Sequence, residues 1–210
     1  MSLIKKTDHF YLIDGSGYIF RAFYGLPSMS NNDGVPVNAV FGYTKMLLKL
    51  IDDFKPIYVA VIFDVARKTF RNDIYDFYKA NRSDPPDELI PQFSIIRDAT
   101  NAIGLPAVEM EGYEADDLIA TYSDIASKMN KNVIIVSSDK DLMQLVDQNT
   151  TLFDPMKQFW INDDKVFEKF GVYPSKVIDV QSLAGDTSDN IPGVPGIGIK
   201  TAAELIKQYG

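Results

Sequence analysis

Residues 58–64, YVAVIFD, form an unbroken apolar, β-branched run that closes on an aspartate. A strand covered on one face alternates apolar and polar residues. One covered on both faces is continuously apolar, as in a parallel sheet. Two further segments repeat the design: 10–14, FYLID, ends on Asp14, and 133–141, VIIVSSDKD, runs into Asp139 and Asp141. Weaker strand patterns lie at 106–110 and 150–153, and amphipathic helical patterns at about 37–54, 87–103, 114–129 and 139–146. Strand and helix in alternation predict an α/β fold, a mainly parallel central sheet flanked by helices on both faces.

Two regions interrupt this rhythm. Residues 65–86 are a polar, aromatic-rich excursion ending at Pro85–Pro86, and 184–210 turn Gly/Pro-rich before a short helix. The expected division is an α/β body over 1–175 and a smaller module over 176–210.

Composition narrows the chemistry. The 210 residues are 46% apolar and 24% charged, with no cysteine and a single histidine, His9. Disulfides, thiolate nucleophiles and His- or Cys-based zinc sites are thereby excluded. Catalysis must rest on carboxylates, hydroxyls, Lys or Arg. No apolar run is long enough to span a membrane, and the start MSLIKKTDHF lacks the apolar core of a secretory signal, so the cytoplasm is the expected location. A net charge of −8 argues at first against a nucleic-acid partner.

That charge is unevenly spread. At the carboxyl ends of parallel strands, where open α/β sheets place their ligands, stand Asp14, Asp64, Asp139 and Asp141. The weak strand at 106–110 leads into GYEADDLIA (112–120), which adds Glu114, Asp116 and Asp117, and GDTSDN (185–190) adds Asp186 and Asp189. One aspartate after a strand is ordinarily a helix cap or turn former, and an acidic first turn complements the helix dipole. Four strands delivering acids to one edge call for more, because close carboxylates repel and raise one another's pKa values. All-oxygen donors suit hard cations such as Mg²⁺ or Mn²⁺. Two such ions roughly 4 Å apart are the general solution for phosphodiester hydrolysis. With these nine acids set aside, 20 remain against 21 Lys and Arg, so net charge is a poor guide to the partner.

Within 65–86, Arg67, Lys68, Arg71, Lys79 and Arg82 are interleaved with Phe70, Tyr75, Phe77 and Tyr78. Basic groups hold phosphates and aromatic faces stack on bases. The excursion follows Asp64 directly, so it is expected to rise over the acids, where Lys79 or Arg82 would neutralise a scissile phosphate. In NIPGVPGIGIKTAAELI, Gly193, Gly196 and Gly198 precede a helix beginning near Lys200–Thr201. The spacing is not that of a nucleotide-binding P-loop. A hairpin between short helices, gripping a nucleic-acid backbone, fits better.

The blocks LIDGSGYIFRAF, FD at 63–64, FR…YKANR at 70–82, GYEADDLIAT, SSDKDLMQLV and GDTSDNIPGVPGIGIKTA stand in one order through almost the whole chain. In them the sequence resembles the 5′ nuclease (5′→3′ exonuclease) domains of bacterial DNA polymerase I, relatives of the flap endonucleases. The resemblance implies a PIN-like 5′ nuclease fold and a metal-dependent 5′→3′ exonuclease and flap endonuclease that removes primers and flaps in replication and repair. Its cofactors would be two or more Mg²⁺ ions, with Mn²⁺ as a substitute. Asp14, Asp64, Glu114, Asp116 and Asp117 would form the tighter metal site, and Asp139, Asp141, Asp186 and Asp189 the second. Asp14, Asp64, Lys79, Glu114 and Asp116 would carry catalysis. Arg21, Tyr78, Lys79 and Arg82 resemble phosphate- and substrate-contacting groups, and 65–86 a helical arch passing a 5′ single strand. The module from 184 resembles the start of a helix-turn-helix that binds duplex DNA and holds K⁺ at the 190–200 hairpin. Partners would be 5′-flap, nicked or gapped duplexes and RNA-primed 5′ ends, met by a monomer with no membrane contact. Ser138 stands where the family often has Gly. The family continues past residue 210, so the DNA-binding module is expected to be truncated and polymerase domains absent.

A related-fold ribonuclease, a non-catalytic nucleic-acid scaffold and a small-molecule phosphatase are the rival readings. The excursion speaks against the first and the last, the hairpin against the first, and the full set of nine acids against the second.

Overall fold

The computed structural model describes residues 9–210; the opening residues, read above as free of a secretory signal, lie almost wholly outside them. In chain order the elements are β1 (Phe10–Asp14), α1 (Gly15–Gly25), α2 (Asn38–Phe54), β2 (Tyr58–Ile62), α3 (Phe70–Ile74), α4 (Ile90–Ala102) and β3 (Ala107–Val108). There follow α5 (Ala115–Lys128), β4 (Val133–Val136), β5 (Thr150–Asp154), β6 (Phe159–Ile161), α6 (Asp163–Phe170), α7 (Val177–Ala184) and α8 (Ile199–Tyr209). One sheet runs in the order β3-β2-β1-β4-β5-β6. Its first five strands are parallel and β6 closes the edge antiparallel to β5.

Both faces of the sheet are covered, which is why its central strands are apolar throughout. Leu12, Ile62, Val133 and Ile135 point into one core with Ile119 of α5 and Phe170 of α6. Tyr11, Ile13, Val61, Ile134 and Val136 point into the other with Tyr43 and Leu47 of α2 and Ile96 of α4. Val177 and Val180 of α7 and Ala202 and Ala203 of α8 belong to the first core. No helix among the described residues is long and apolar enough to cross a membrane.

Several boundaries differ from the sequence expectation. The strand at 106–110 shrinks to Ala107–Val108, and 139–146 holds only a 3-10 turn, Asp141–Leu145. Helix α1, GSGYIFRAFYG, was not expected, because its glycines weaken helix propensity. Gly15 has a tertiary reason: a Cβ there would lie 2.4 Å from the Phe63 ring. The excursion at 65–86 carries one short helix, α3, and otherwise runs as turns and extended backbone.

Candidate metal centre and nucleic-acid interface

The chain leaves β1 for β2 and β3, then returns to the far side of β1 as β4, so a topological switch point lies between β1 and β4. Asp14 ends β1 at that point and is buried. It caps α1, accepting from the Gly17 amide at 2.9 Å, so the ordinary capping role is filled. Its second oxygen accepts from Ser137 Oγ of the β4 end at 2.7 Å, and Ser137 in turn accepts from the Asp139 amide at 3.0 Å. Asp64, just past β2, is held in the same manner. It accepts from Ser16 Oγ at 2.6 Å and from the Ala115 amide at 2.8 Å, in the first turn of α5. Two serines thus tie the ends of β4, β1 and β2 through carboxylates.

Asp116, on the first turn of α5, has no hydrogen bond or ion pair for its carboxylate among the described residues. Burial, then Asp139, Asp14 and Asp64, push it well above the ordinary carboxyl range. Asp14 is pushed up to about 6, first by burial and further by Asp64 and Asp139, against the pull of Gly17 and Ser137. Asp141 is raised by burial and by Asp139, against the Gln181 amide that donates to it at 2.5 Å. These acids therefore feel one another's charge, which Lys79 near Asp116 and Lys140 near Asp141 offset only in part.

The other four acids each have a cation. Lys79 Nζ stands 2.9 Å from Glu114, and Arg82 Nη2 2.5 Å from Asp189. Arg71 grips Asp117 with two bonds of 2.7 Å, a bidentate geometry. Asp117 also accepts from the Glu114 amide at 2.9 Å, capping α5. Burial works against the Asp117 charge, but Arg71 and that amide outweigh it and hold the carboxyl below its ordinary range. Lys140 lies 2.5 Å from Asp186, and with Ser188 overcomes burial to bring that carboxyl down to about 2. The Tyr78 hydroxyl lies 3.0 Å from Glu114 and 3.1 Å from Asp189.

Residues 75–82 are consequently strapped down onto 187–190 instead of standing clear of the acids. The Lys79 amide donates to Asp189 O at 2.9 Å, Asn81 to Thr187 O at 2.8 Å and Asn190 to Phe77 O at 2.7 Å. Lys79 takes a left-handed φ of 53°, an uncommon conformation for a residue with a side chain. Arg67 pairs with Asp84 at the base of the excursion.

The strap separates two cavities. One, of about 580 Å³, is lined by Asp64, Glu114, Arg67, Lys79, Arg82, Arg97 and the aromatic rings of Phe20, Tyr24, Phe63 and Phe93. The other, of about 680 Å³, is lined by Arg71, Tyr75, Tyr78, Asp116, Asp117, Asp141, Asp186 and Asp189, and Glu114 borders both. Arg21, exposed on α1, lines neither. Lys200 and Thr201 are exposed at the start of α8. Gly196 turns with φ 82° and, like Gly198, has open space around it. Gly193 differs: a Cβ there would lie 2.3 Å from the carbonyl carbon of Ala184, so it serves a backbone crossing with 184–185.

As the side chains stand, no three acids among the described residues gather closely enough around one point to ligate a cation. The donor set nevertheless suits a hard divalent cation: it is all oxygen, it includes buried carboxylates, and those at the switch point lack counter-ions. Histidine plays no part, since His9 precedes β1 and Asp14 ends it, a separation of roughly 16 Å along an extended strand.

Sequence reasoning passed over Ser16, Ser137, Gln181 and Arg97. Arg97 of α4 donates to Asp64 O at 2.7 Å and to Glu109 at 2.5 Å, and its guanidinium lies 4.9 Å over the Phe63 ring. Serines and glutamines are too common for any of these to carry a signal without their partners. Ser137→Ala should destabilise the metal-free chain by about 1–3 kcal/mol, measured by urea unfolding, since the Asp139 amide and buried Asp14 each lose a partner. An unchanged midpoint would show that the Ser137 bridge contributes nothing.

Two family models match consecutive parts of the chain. The family model described as 5′-3′ exonuclease, N-terminal resolvase-like domain, matches residues 9–171, and that of the 5′-3′ exonuclease C-terminal SAM fold matches 172–210. DNA polymerase I of Rhizobium leguminosarum is 55% identical over 215 residues, which cover 99% of this chain and 21% of that protein. The chain therefore spans about a fifth of that relative. The 5′-3′ exonuclease of Aquifex aeolicus (strain VF5) is 42% identical over 200 residues, covering 95% of this chain and 69% of the relative. Among solved structures, T5 5′-exonuclease with bound zinc superposes with a TM-score of 0.79 at 24% identity, covering 96% of this chain and 75% of that one. A bacteriophage T5 flap endonuclease in complex with DNA and metal ions gives 0.79 at 23%, with the same coverage. At such identities the superpositions establish the fold, and the family models with the sequence relatives establish the lineage: the chain belongs to the 5′-3′ exonuclease family.

Proposed function

We propose that the chain is a divalent-metal-dependent 5′→3′ exonuclease and 5′-flap endonuclease of DNA, acting in primer and flap removal as the N-terminal part of a DNA polymerase I. The observation that carries this reading is the set of carboxylates at the switch point: buried Asp14 and Asp116 are both pushed up by burial and by the nearby charges of Asp64 and Asp139, and neither forms an ion pair among the described residues. The T5 exonuclease with bound zinc and the T5 flap endonuclease with DNA and metal ions supply the analogy for metal and substrate. Mg²⁺ is the proposed cation, with Mn²⁺ able to replace it. Asp14, Asp64, Glu114, Asp116 and Asp117 would hold one ion, and Asp139, Asp141, Asp186 and Asp189 a second. Bound there, the cations would supply Lewis-acid stabilisation of the phosphodiester and a water of lowered pKa.

The chain's own groups do the rest. Lys79, 2.9 Å from Glu114, is placed to exchange its carboxylate for a phosphate oxygen at the border of the two cavities. Arg67 and Arg82 line the first cavity and Arg71 the second, offering guanidinium forks to the backbone on either side of the strap. Phe20 and Tyr24 offer faces for unpaired bases in the first cavity. The open turn at Gly196–Gly198 and the first turn of α8, with Lys200 and Thr201, would meet duplex backbone, with K⁺ at the hairpin. A monomer working in the cytoplasm completes the proposal.

Incubation of the chain with a labelled 5′-flap duplex in Mg²⁺, and again in EDTA, tests it. Cleavage in Mg²⁺ alone is expected. Cleavage persisting in EDTA would eliminate the metal reading, and an intact flap in Mg²⁺ the nuclease reading. Lys79→Ala should slow single-turnover cleavage by about 10²–10³-fold, the usual effect of losing one preorganised donor to a developing charge. A rate within twofold of wild type would remove Lys79 from the chemistry.

A further inference from the structure

We infer that Gln181 is a positioning residue for the second carboxylate group, fixing the Asp141 side chain so that its full charge stays available to a divalent cation. The inference rests on the metal reading above. Asp141 opens a short 3-10 turn, an element with little rigidity of its own. Its backbone is pinned locally, the amide donating to Asp139 Oδ1 at 2.8 Å and the carbonyl accepting from Gln144 at 2.8 Å. Its carboxylate is held from elsewhere: Gln181 Nε2, on α7, donates to Asp141 Oδ1 at 2.5 Å. No other side chain among the described residues donates to that carboxylate. The helix is a firm base for the amide, because Val177 and Val180 are wholly buried in the core.

The chemistry of the donor matters. Lys140 on Asp186 and Arg82 on Asp189 orient their carboxylates but also neutralise them. A neutral amide orients without neutralising, and it occupies one oxygen only. Such partners outside the ligand set ordinarily account for about 10–100-fold in metal affinity. A purely structural role would make Gln181 a tie between α7 and the 3-10 turn, with no bearing on cations.

Mn²⁺ binding by electron paramagnetic resonance, on the whole chain and its Gln181→Met variant, separates these. Met keeps the length and helix propensity of Gln and removes the donor. The weaker of two Mn²⁺ sites should lose about 10–100-fold in affinity, with the tighter site and the melting temperature in EDTA unchanged. Half-maximal flap cleavage should need about tenfold or more Mg²⁺, the maximal rate returning at saturation. Gln181→Leu serves as a second donor-free variant if Gln181→Met fails to fold. Both Mn²⁺ affinities intact in either folded variant would overturn the inference, as would a lower melting temperature with metal binding untouched. Wild-type chain that binds no Mn²⁺ would overturn the metal reading itself, a separable failure.

Discussion

Asp116→Asn is expected to lower flap cleavage by about a thousandfold or more, some 4 kcal/mol of barrier, while raising the melting temperature of the chain in EDTA. Removing a group ordinarily harms stability or leaves it alone, so the combination is informative. The Asp116 carboxylate makes no hydrogen bond or ion pair among the described residues, and burial together with Asp139, Asp14 and Asp64 resists its ionisation. An amide of the same shape relieves that repulsion and, being neutral, is a much weaker cation ligand. Asp117, its neighbour, supplies the contrast. Asp117→Asn breaks the bidentate Arg71 pair and should lower the melting temperature in the same buffer. Asp64 also differs from Asp116, because its carboxylate accepts from Ser16 and from the α5 amide of Ala115. An active Asp116→Asn enzyme, or one less stable than wild type in EDTA, would refute the account of this cluster.

Metal-free chain should become more stable, not less, as pH falls from about 7 to about 4. Asp14 has its carboxyl pushed up to about 6 from an ordinary 3.8. A raised acid binds its proton more tightly in the folded state, so its penalty is complete above the folded value and vanishes below the unfolded one. The shift of about two units corresponds to about 3 kcal/mol from this buried group alone. Asp116 and Asp141 are shifted in the same direction. Asp117 and Asp186 are shifted the other way, and their stabilisation is lost only as pH falls below the ordinary carboxyl range, toward about 2 for Asp186. Saturating Mg²⁺ should reverse the slope, since protons then compete with a bound cation. Urea midpoints across this window, in EDTA and in Mg²⁺, measure both limbs. A midpoint in EDTA that falls with pH would show that the switch-point carboxylates are not mutually repelling.

Much of the architecture could be read from the chain because a doubly covered parallel sheet leaves a local trace. Residues 10–14, 58–62 and 133–136 must be apolar on both faces, and that continuity is visible in any window of five residues. The two-residue strand β3 is too short to leave such a trace, and α1 is masked by glycines whose cause, the Phe63 ring 48 positions away from Gly15, is not local. The excursion shows the same limit from the other side. Its basic and aromatic content was plain, but its lie was not, because Asn81, Asn190 and the Lys79 amide tie it to a loop more than a hundred residues on.

By itself the sequence determined the α/β class and the strands after which Asp14, Asp64, Asp139 and Asp141 stand, since these follow from hydrophobic period and from residue type. Which of the acids find a cation partner and which do not was decided only by tertiary structure. Glu114, Asp117, Asp186 and Asp189 receive Lys79, Arg71, Lys140 and Arg82, while Asp14, Asp64 and Asp141 receive neutral donors and Asp116 none. The physical reason is that a carboxylate's proton affinity depends on solvent access and on charges within a few ångströms. Partners 35 to 123 residues apart in the chain come that close only when the sheet and its crossovers have formed.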